Sequence, residues 1–281
     1  MTTTTTATPQ RKNIYFSRHG ERIDWIDKTW IESAKRRTDP PLSSYGLEQA
    51  RELGIFIATL QPRITHIYAS PFLRTLQTAV QVARQIKNQD LSSTTKIRVE
   101  PGFGEYFIDE GIWNDENIYR SVDQLSDLSE HMEYFDQDYN SVFKEDYFLQ
   151  SKLETRQQMR DRLKRVLQCT LDAHSFDCNL LIITHAAPLI EGVRALLTPN
   201  DNRTEQVIKK EEIQISMNQT KSNQSTWNMT PVRAGVCSLT HLELTDDKWT
   251  LLKNGLASYL SKGEQNAWFF RDDQALYVQN D

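Results

Sequence analysis

No run of apolar residues in this chain approaches the roughly 20 needed to cross a bilayer, which predicts a protein with no membrane partner. Cysteine is scarce. Cys169, Cys178 and Cys237 form neither a pair nor a metal-ligating cluster, the pattern of a reduced, intracellular protein. Basic charge is also in short supply: 33 Lys and Arg stand against 38 Asp and Glu, a net charge of −5. Direct nucleic-acid binding would call for a basic face instead. Met1 to Gln10 is Thr-rich, with no apolar signal core. Secretion is therefore not expected, residence is cytoplasmic, nuclear or both, and residues 1–12 read as a disordered tail. The Asn-x-Ser/Thr triplets at Asn202, Asn218, Asn223 and Asn228 then read as loop polarity rather than glycan sites. No internal repeat is present.

What the chain does have is enough apolar residue, 38% of 281, for one large domain over residues 13–281. Ile14-Tyr15-Phe16 predicts a buried strand that stops abruptly at Ser17-Arg18-His19-Gly20. The stretch from Ile23 to Pro41 reads as a loop. A helix capped by Ser43 or Ser44 follows, with Leu47, Ala50, Leu53, Ile57 and Leu60 at helical spacing. Ile64 to Ala69 reads as a second strand, then Ser70 as a cap and Pro71 in the first turn of a helix carrying Leu73, Leu76, Ala79, Val80 and Ala83. Ile97 to Glu100 is a third strand. A charged helix from about Leu153 to His174 leads to the most apolar strand, Leu180 to Ile183, which ends at Thr184-His185 before another helix to Leu197. Val236 to Leu244 and Trp249 to Leu252, separated by Asp246-Asp247, suggest an antiparallel hairpin at a sheet edge. This rhythm predicts a three-layer α/β domain with a mainly parallel sheet and helices on both faces.

Two regions depart from that rhythm. Residues 199–231 are polar and read as a surface loop. Residues 100–150 hold 14 Asp and Glu against two Lys and Arg, with Tyr and Phe interspersed. The part from about 106 to 150 reads either as a solvated insertion with aromatic anchors or as a cap over the site that shapes substrate choice. Its charge would disfavour highly phosphorylated substrates.

In an open parallel sheet the carboxyl ends of the strands share one edge, where ligands bind. Four strand ends here each deliver polar candidates: Arg18 and His19; Ser70 and, a helical turn later, Arg74; Glu105; and His185. Guanidinium forks match phosphate oxygens. A neutral imidazole can attack phosphorus, and a carboxyl group can pass a proton to the leaving oxygen. Arginines crowding the site oppose a metal cation, and no cofactor is called for. Trp25, Trp30, Tyr106 and Trp113 could line an aromatic groove, although core packing explains them as well. His66, His131, His174 and His241 have no motif around them and read as structural.

Arg18-His19-Gly20-Glu21 and Ser70-Pro71-Phe72-Leu73-Arg74-Thr75-Leu76-Gln77-Thr78-Ala79 resemble the two signatures of the histidine phosphatases, whose fold is phosphoglycerate mutase-like. Asp39-Pro40-Pro41-Leu42, Gly46 and Gln49-Ala50 resemble the stretch between them, and His185 matches the late histidine. The resemblance implies a metal-independent phosphomonoester hydrolase acting through phosphohistidine. His19 would be the nucleophile and Glu105 the general acid, with Tyr106 where a Trp is usual. Arg18, Arg74 and His185 would hold the phosphate, with Arg22 as a further contact. The substrate implied is a phosphorylated small molecule or phosphopeptide. Two branches compete. RHGER, the glutamate and His185-Ala186 resemble the suppressor of T-cell receptor signalling phosphatases. THAAP, GVCSL, Asn254-Gly255 and Trp268-Phe269-Phe270 resemble the phosphatase-like tau subunit of fungal TFIIIC. That second branch implies an interaction subunit in RNA polymerase III transcription, partnered by a transcription complex or a second copy of the chain.

Overall fold

The computed structural model describes residues 11–106, 125–144, 154–174, 178–198 and 230–273. The N-terminal tail to residue 10, residues 107–124 and 145–150 of the acidic stretch, Trp113, the asparagines of the four Asn-x-Ser/Thr triplets and loop residues 199–229 lie outside them.

In chain order the elements are β1 (Lys12–Arg18), α1 (Ile23–Ile26), α2 (Trp30–Ser33), α3 (Ser44–Ala58), β2 (His66–Ala69), α4 (Leu73–Gln89), β3 (Ile97–Val99), α5 (Arg156–Asp172), β4 (Asn179–Thr184), α6 (Ala186–Leu197), β5 (Leu239–Thr245) and β6 (Lys248–Leu256). The six strands form one sheet in the order β3-β2-β4-β1-β5-β6. The first four run parallel, β5 runs antiparallel to β1, and β6 runs antiparallel to β5.

The two-residue side-chain period of a strand explains the layers. Ile14, Phe16, Leu180 and Ile182 face one side and pack on Met159, Leu163, Val166 and Leu167 of α5 and Leu189, Ile190 and Val193 of α6. Tyr15, Ile67, Ala69, Leu181 and Ile183 face the other and pack on α3 and α4 through Leu53, Ile57, Leu76 and Val80. Both faces are covered, so β1 and β4 are buried along their whole length. The β5–β6 turn is made by Asp246 and Asp247, both left-handed (φ 49° and 59°). That is the backbone a tight hairpin requires.

Several element boundaries differ from the sequence reading. The stretch after Arg22 contains the two short helices α1 and α2 rather than loop throughout. Helix α5 starts at Arg156, because Thr155 and Gln158 close a reciprocal capping box there. Helix α4 starts at Leu73, with Phe72 extended and buried before it, so Pro71 precedes the helix instead of opening it. Its first N–H is taken by a distant carboxylate, Asp39 Oδ1, at 2.8 Å from Leu73 N. Of the acidic stretch, residues 125–144 lie against the β3 edge of the sheet. Asp136 N donates to Ile97 O at 2.8 Å, and Phe135 and Phe143 are buried. The fully buried Glu100 ties this segment down, accepting bonds from Gly102 N, Tyr139 OH, Val142 N and Phe143 N.

Candidate active site at the carboxyl edge of the sheet

The parallel register brings the strand ends level. Arg18 pairs with Thr184 across β1 and β4, and Ala69 with Ile183 across β2 and β4. His19 and His185 therefore leave the sheet side by side, with ring centroids 5.3 Å apart. Both are buried. Ser70 follows β2 at the same level, and Arg74 and Glu105 close the group.

The hydrogen bonds fix each ring. His19 Nδ1 is 2.8 Å from the Gly20 carbonyl, which can only accept, so the proton sits on Nδ1 and Nε2 keeps its lone pair. His185 Nδ1 is 3.1 Å from Arg74 Nη2, which can only donate. The proton of His185 is therefore on Nε2, directed at Ser70 Oγ at 2.8 Å. Burial, then the Arg74 and Arg18 charges, hold His19 well below the usual histidine range. Burial, then Arg74, does the same for His185. Both rings are neutral at neutral pH.

The arginines are crowded with positive charge. Burial is the main reason that Arg18 and Arg74 both fall to about 10, low for guanidinium yet still charged at neutral pH. Arg74 lies over the Phe72 ring at 4.5 Å. Its Nη2 is 3.4 Å from Glu105 Oε2, and its Nη1 is 3.6 Å from Asp39 Oδ1. Arg74 Nε and Nη1 and Arg18 Nε are buried without a hydrogen-bond partner among the described residues. Unsatisfied buried donors on charged groups are costly, and an anion is the partner they lack.

Glu105 Oε2 lies 3.3 Å from His185 Nδ1, and the Glu105 side chain is 28% exposed. Arg162, fully buried, fixes its loop. It donates to the Gly102, Gly104 and Glu105 carbonyls while its own charge is met by Glu154. Ligand atoms of His19, Glu105 and His185 lie within 4.8 Å of one another, close enough to hold a cation. The two flanking guanidinium groups favour an anion instead.

The structure thus gathers Arg18, His19, Arg74, Glu105 and His185. Arg22 is near, but its fork is occupied by Asp24. Ser70, read from sequence as a helix cap, holds His185 instead, since the helix begins two residues later. Trp25 is not core. Its half-exposed ring lies 5.3 Å from both the Arg18 and Arg22 guanidinium carbons. Tyr106 does pack on the core, against Phe270. The signature residues between the ligands turn out to be scaffolding. Thr78 Oγ1 accepts from Gly20 N, and Gln49 Oε1 accepts from Glu21 N. Gly20 and Gly46 touch so closely that a Cβ on Gly20 would lie 2.5 Å from the Gly46 carbonyl oxygen. Asp39, which both caps α4 and faces Arg74, was legible only as part of Asp39-Pro40-Pro41.

A family model of the histidine phosphatase superfamily (branch 1) matches residues 14–210. The chain belongs to that superfamily. Among curated proteins it is 25% identical over 277 residues to the transcription factor tau 55 kDa subunit of Saccharomyces cerevisiae, covering 92% of this chain and 58% of the relative. It is 30% identical over 219 residues to the human ubiquitin-associated and SH3 domain-containing protein A, covering 68% of this chain and 32% of the relative. The chain thus spans between a third and three fifths of the length of these two relatives. The crystal structure of the ecdysone phosphate phosphatase from Bombix mori with tungstate superposes with a TM-score of 0.55 at 20% identity, over 87% of this chain and 93% of that one. That likeness establishes the phosphoglycerate mutase-like αβα fold of the histidine phosphatases. Among the described residues, no helix is long and apolar enough to cross a membrane.

Proposed function

We propose that the chain is a metal-independent phosphomonoester hydrolase that works through a phosphohistidine. The observation that carries this reading is the pairing of two neutral, buried imidazoles 5.3 Å apart with guanidinium N–H groups that have no hydrogen-bond partner among the described residues. A phosphate entering there meets Arg18, Arg74 and His185. His19 Nε2 attacks phosphorus in line as the ester P–O bond breaks, and Glu105 gives its proton to the departing oxygen. The Glu105 carboxylate then takes a proton from water, whose oxygen displaces His19 and releases orthophosphate. His19 Nδ1–H stays on the Gly20 carbonyl throughout, so the ring keeps its orientation. The substrates in this reading are phosphotyrosine or small phosphate esters, and Arg22 is available only if it leaves Asp24.

The test is phosphate release from an aryl phosphate, with vanadate as inhibitor. His19→Ala is expected to lower kcat/KM by at least about a thousandfold, the scale of losing a covalent nucleophile. Wild-type turnover no faster than that of the variant would reject the reading.

A second reading has one observation in its favour, the match to the yeast tau 55 kDa subunit across 92% of the chain. In it, the same pocket belongs to an interaction subunit linked to TFIIIC and RNA polymerase III transcription, with little or no turnover. Copurification of transcription-factor subunits with an inactive wild type would favour it.

A further inference from the structure

Arg18 is aimed by backbone carbonyls rather than by a carboxylate. Its Nη1 donates to Asn266 O at 2.7 Å and to Ala234 O at 3.0 Å. With Nη1 held, Nε, on the edge whose fork suits two phosphate oxygens, is buried without a hydrogen-bond partner among the described residues. The carbonyl of Asn266 is itself set by an unusual backbone: φ is 48° there, a left-handed conformation that Asn and Gly tolerate and β-branched residues do not.

The flanking chain is bolted at both ends. Glu264 takes Arg233. Gln265 O accepts from Val236 N at 3.0 Å, and its side chain meets Gln49, whose own amide oxygen holds Glu21 N. At the far end Phe270 is buried with the Arg156 guanidinium 3.7 Å above its ring. Asp273, 1% exposed, accepts from Arg194 Nη1 at 2.6 Å and Arg156 Nη2 at 2.9 Å. Residues 264–273 therefore cross the molecule as a strap with an anchor at each end. Its bend delivers one carbonyl to the pocket.

We infer that this strap is a working part of the phosphate pocket: Asn266, through its carbonyl, and Asp273, through its ion pairs, are positioning residues that hold Arg18 ready to grip a phosphate group with both N–H groups of one edge. Pre-set orientation removes an ordering cost from binding. The inference rests on the anion-binding half of the phosphatase reading and does not need turnover.

The experiment is titration of the full chain with inorganic phosphate by calorimetry, alongside aryl phosphate hydrolysis. Asn266→Val, which disfavours the left-handed bend, and Asp273→Asn, which removes the anchoring charge, should each weaken orthophosphate binding about tenfold, the scale of one charge-assisted hydrogen bond. Asn266→Gly preserves the bend and should stay within about twofold of wild type. Circular dichroism establishes that each variant is folded. If folded Asn266→Val and Asp273→Asn bind orthophosphate as wild type does, whatever their melting temperatures, the strap only stabilises the fold and the inference fails. His19-dependent turnover in that same experiment would leave the phosphatase reading standing. Conversely, a wild type that binds orthophosphate in a strap-dependent way yet hydrolyses nothing would overturn the phosphatase reading alone.

Discussion

Arg156, Arg160 and Arg194 surround the buried carboxylates of Glu191 and Asp273 with N–H···O contacts of 2.6–2.9 Å. Arg18 and Arg74 are as deeply buried as Arg160 and Arg194 (Arg156 is a quarter exposed), yet among the described residues neither has a carboxylate within 3 Å. Glu105 and Asp39 approach Arg74 only to 3.4 and 3.6 Å, and Arg18 leans on carbonyls. The residue type is the same, and Arg160 and Arg194 match Arg18 and Arg74 in burial. What differs is whether the sequence supplies an anion. In the first region the chain folds its own anions in and the cluster is a clasp between α5, α6 and the C-terminal strap. In the second the carboxylates stand off, reaching Arg74 only at 3.4 and 3.6 Å, and among the described residues donors of both arginines stay unsatisfied. Partner supply, rather than positive charge, separates the clasp arginines from those of the proposed phosphate pocket.

The sharpest way to break the comparison is to remove an anion from the first region. Glu191→Ala leaves Arg156 and Arg194 on Asp273 and takes from Arg160 the carboxylate that it holds. Breaking a buried ion pair from one side costs about 3–5 kcal/mol, read as a fall in the urea midpoint. A loss of under about 1 kcal/mol would mean that water already screens the cluster.

Removing a cation from the second region should give the opposite pattern. Arg74→Met takes away a buried, poorly matched charge of similar volume, so stability should change by less than about 1 kcal/mol. Orthophosphate affinity should nonetheless fall by about a hundredfold, the equivalent of two charge-assisted bonds. If Arg74→Met instead destabilises the protein as severely as Glu191→Ala, Arg74 is structural and the distinction between the two regions is lost.

This contrast also explains what could be read from the sequence. The central strands were legible because β1 and β4 are covered on both sides and carry unbroken apolar runs. The site was legible because its members sit at strand ends or one turn beyond, where parallel topology must bring them together. The clasp was not. Glu191 and Asp273 look like surface residues among 38 acidic ones, and Asp273 meets Arg156 across 117 positions of chain. Arg162, which props the Glu105 loop, is hidden in the same way within a charged helix. Ser70 was misread because Ser-Pro ahead of a helix is a good capping pattern. Only the extended Phe72 and the arrival of Asp39 at Leu73 N free its hydroxyl for His185. The Asn266 bend carried no local signal, since its consequence lies at Arg18.

Acid supplies the gentlest probe. Burial, joined by the Arg74 charge, holds His19 and His185 well below the 6.5 of an unperturbed histidine. Below pH 6.5 the unfolded chain takes up protons that these two folded rings refuse, so stability is full above that pH and declines as the pH falls. The decline reaches at most about 1.4 kcal/mol per pH unit for each ring. Urea midpoints between pH 7 and 5 should therefore fall in the wild type, and His185→Asn should show a shallower slope. Saturating orthophosphate should flatten the wild-type slope too, because a bound anion offsets the guanidinium charges that keep protons away. Nothing comparable is expected from the clasp, which contains no histidine and already holds its own anions. A wild type whose midpoint stays constant over this range would remove the neutral-imidazole assignment on which nucleophilic attack by His19 depends.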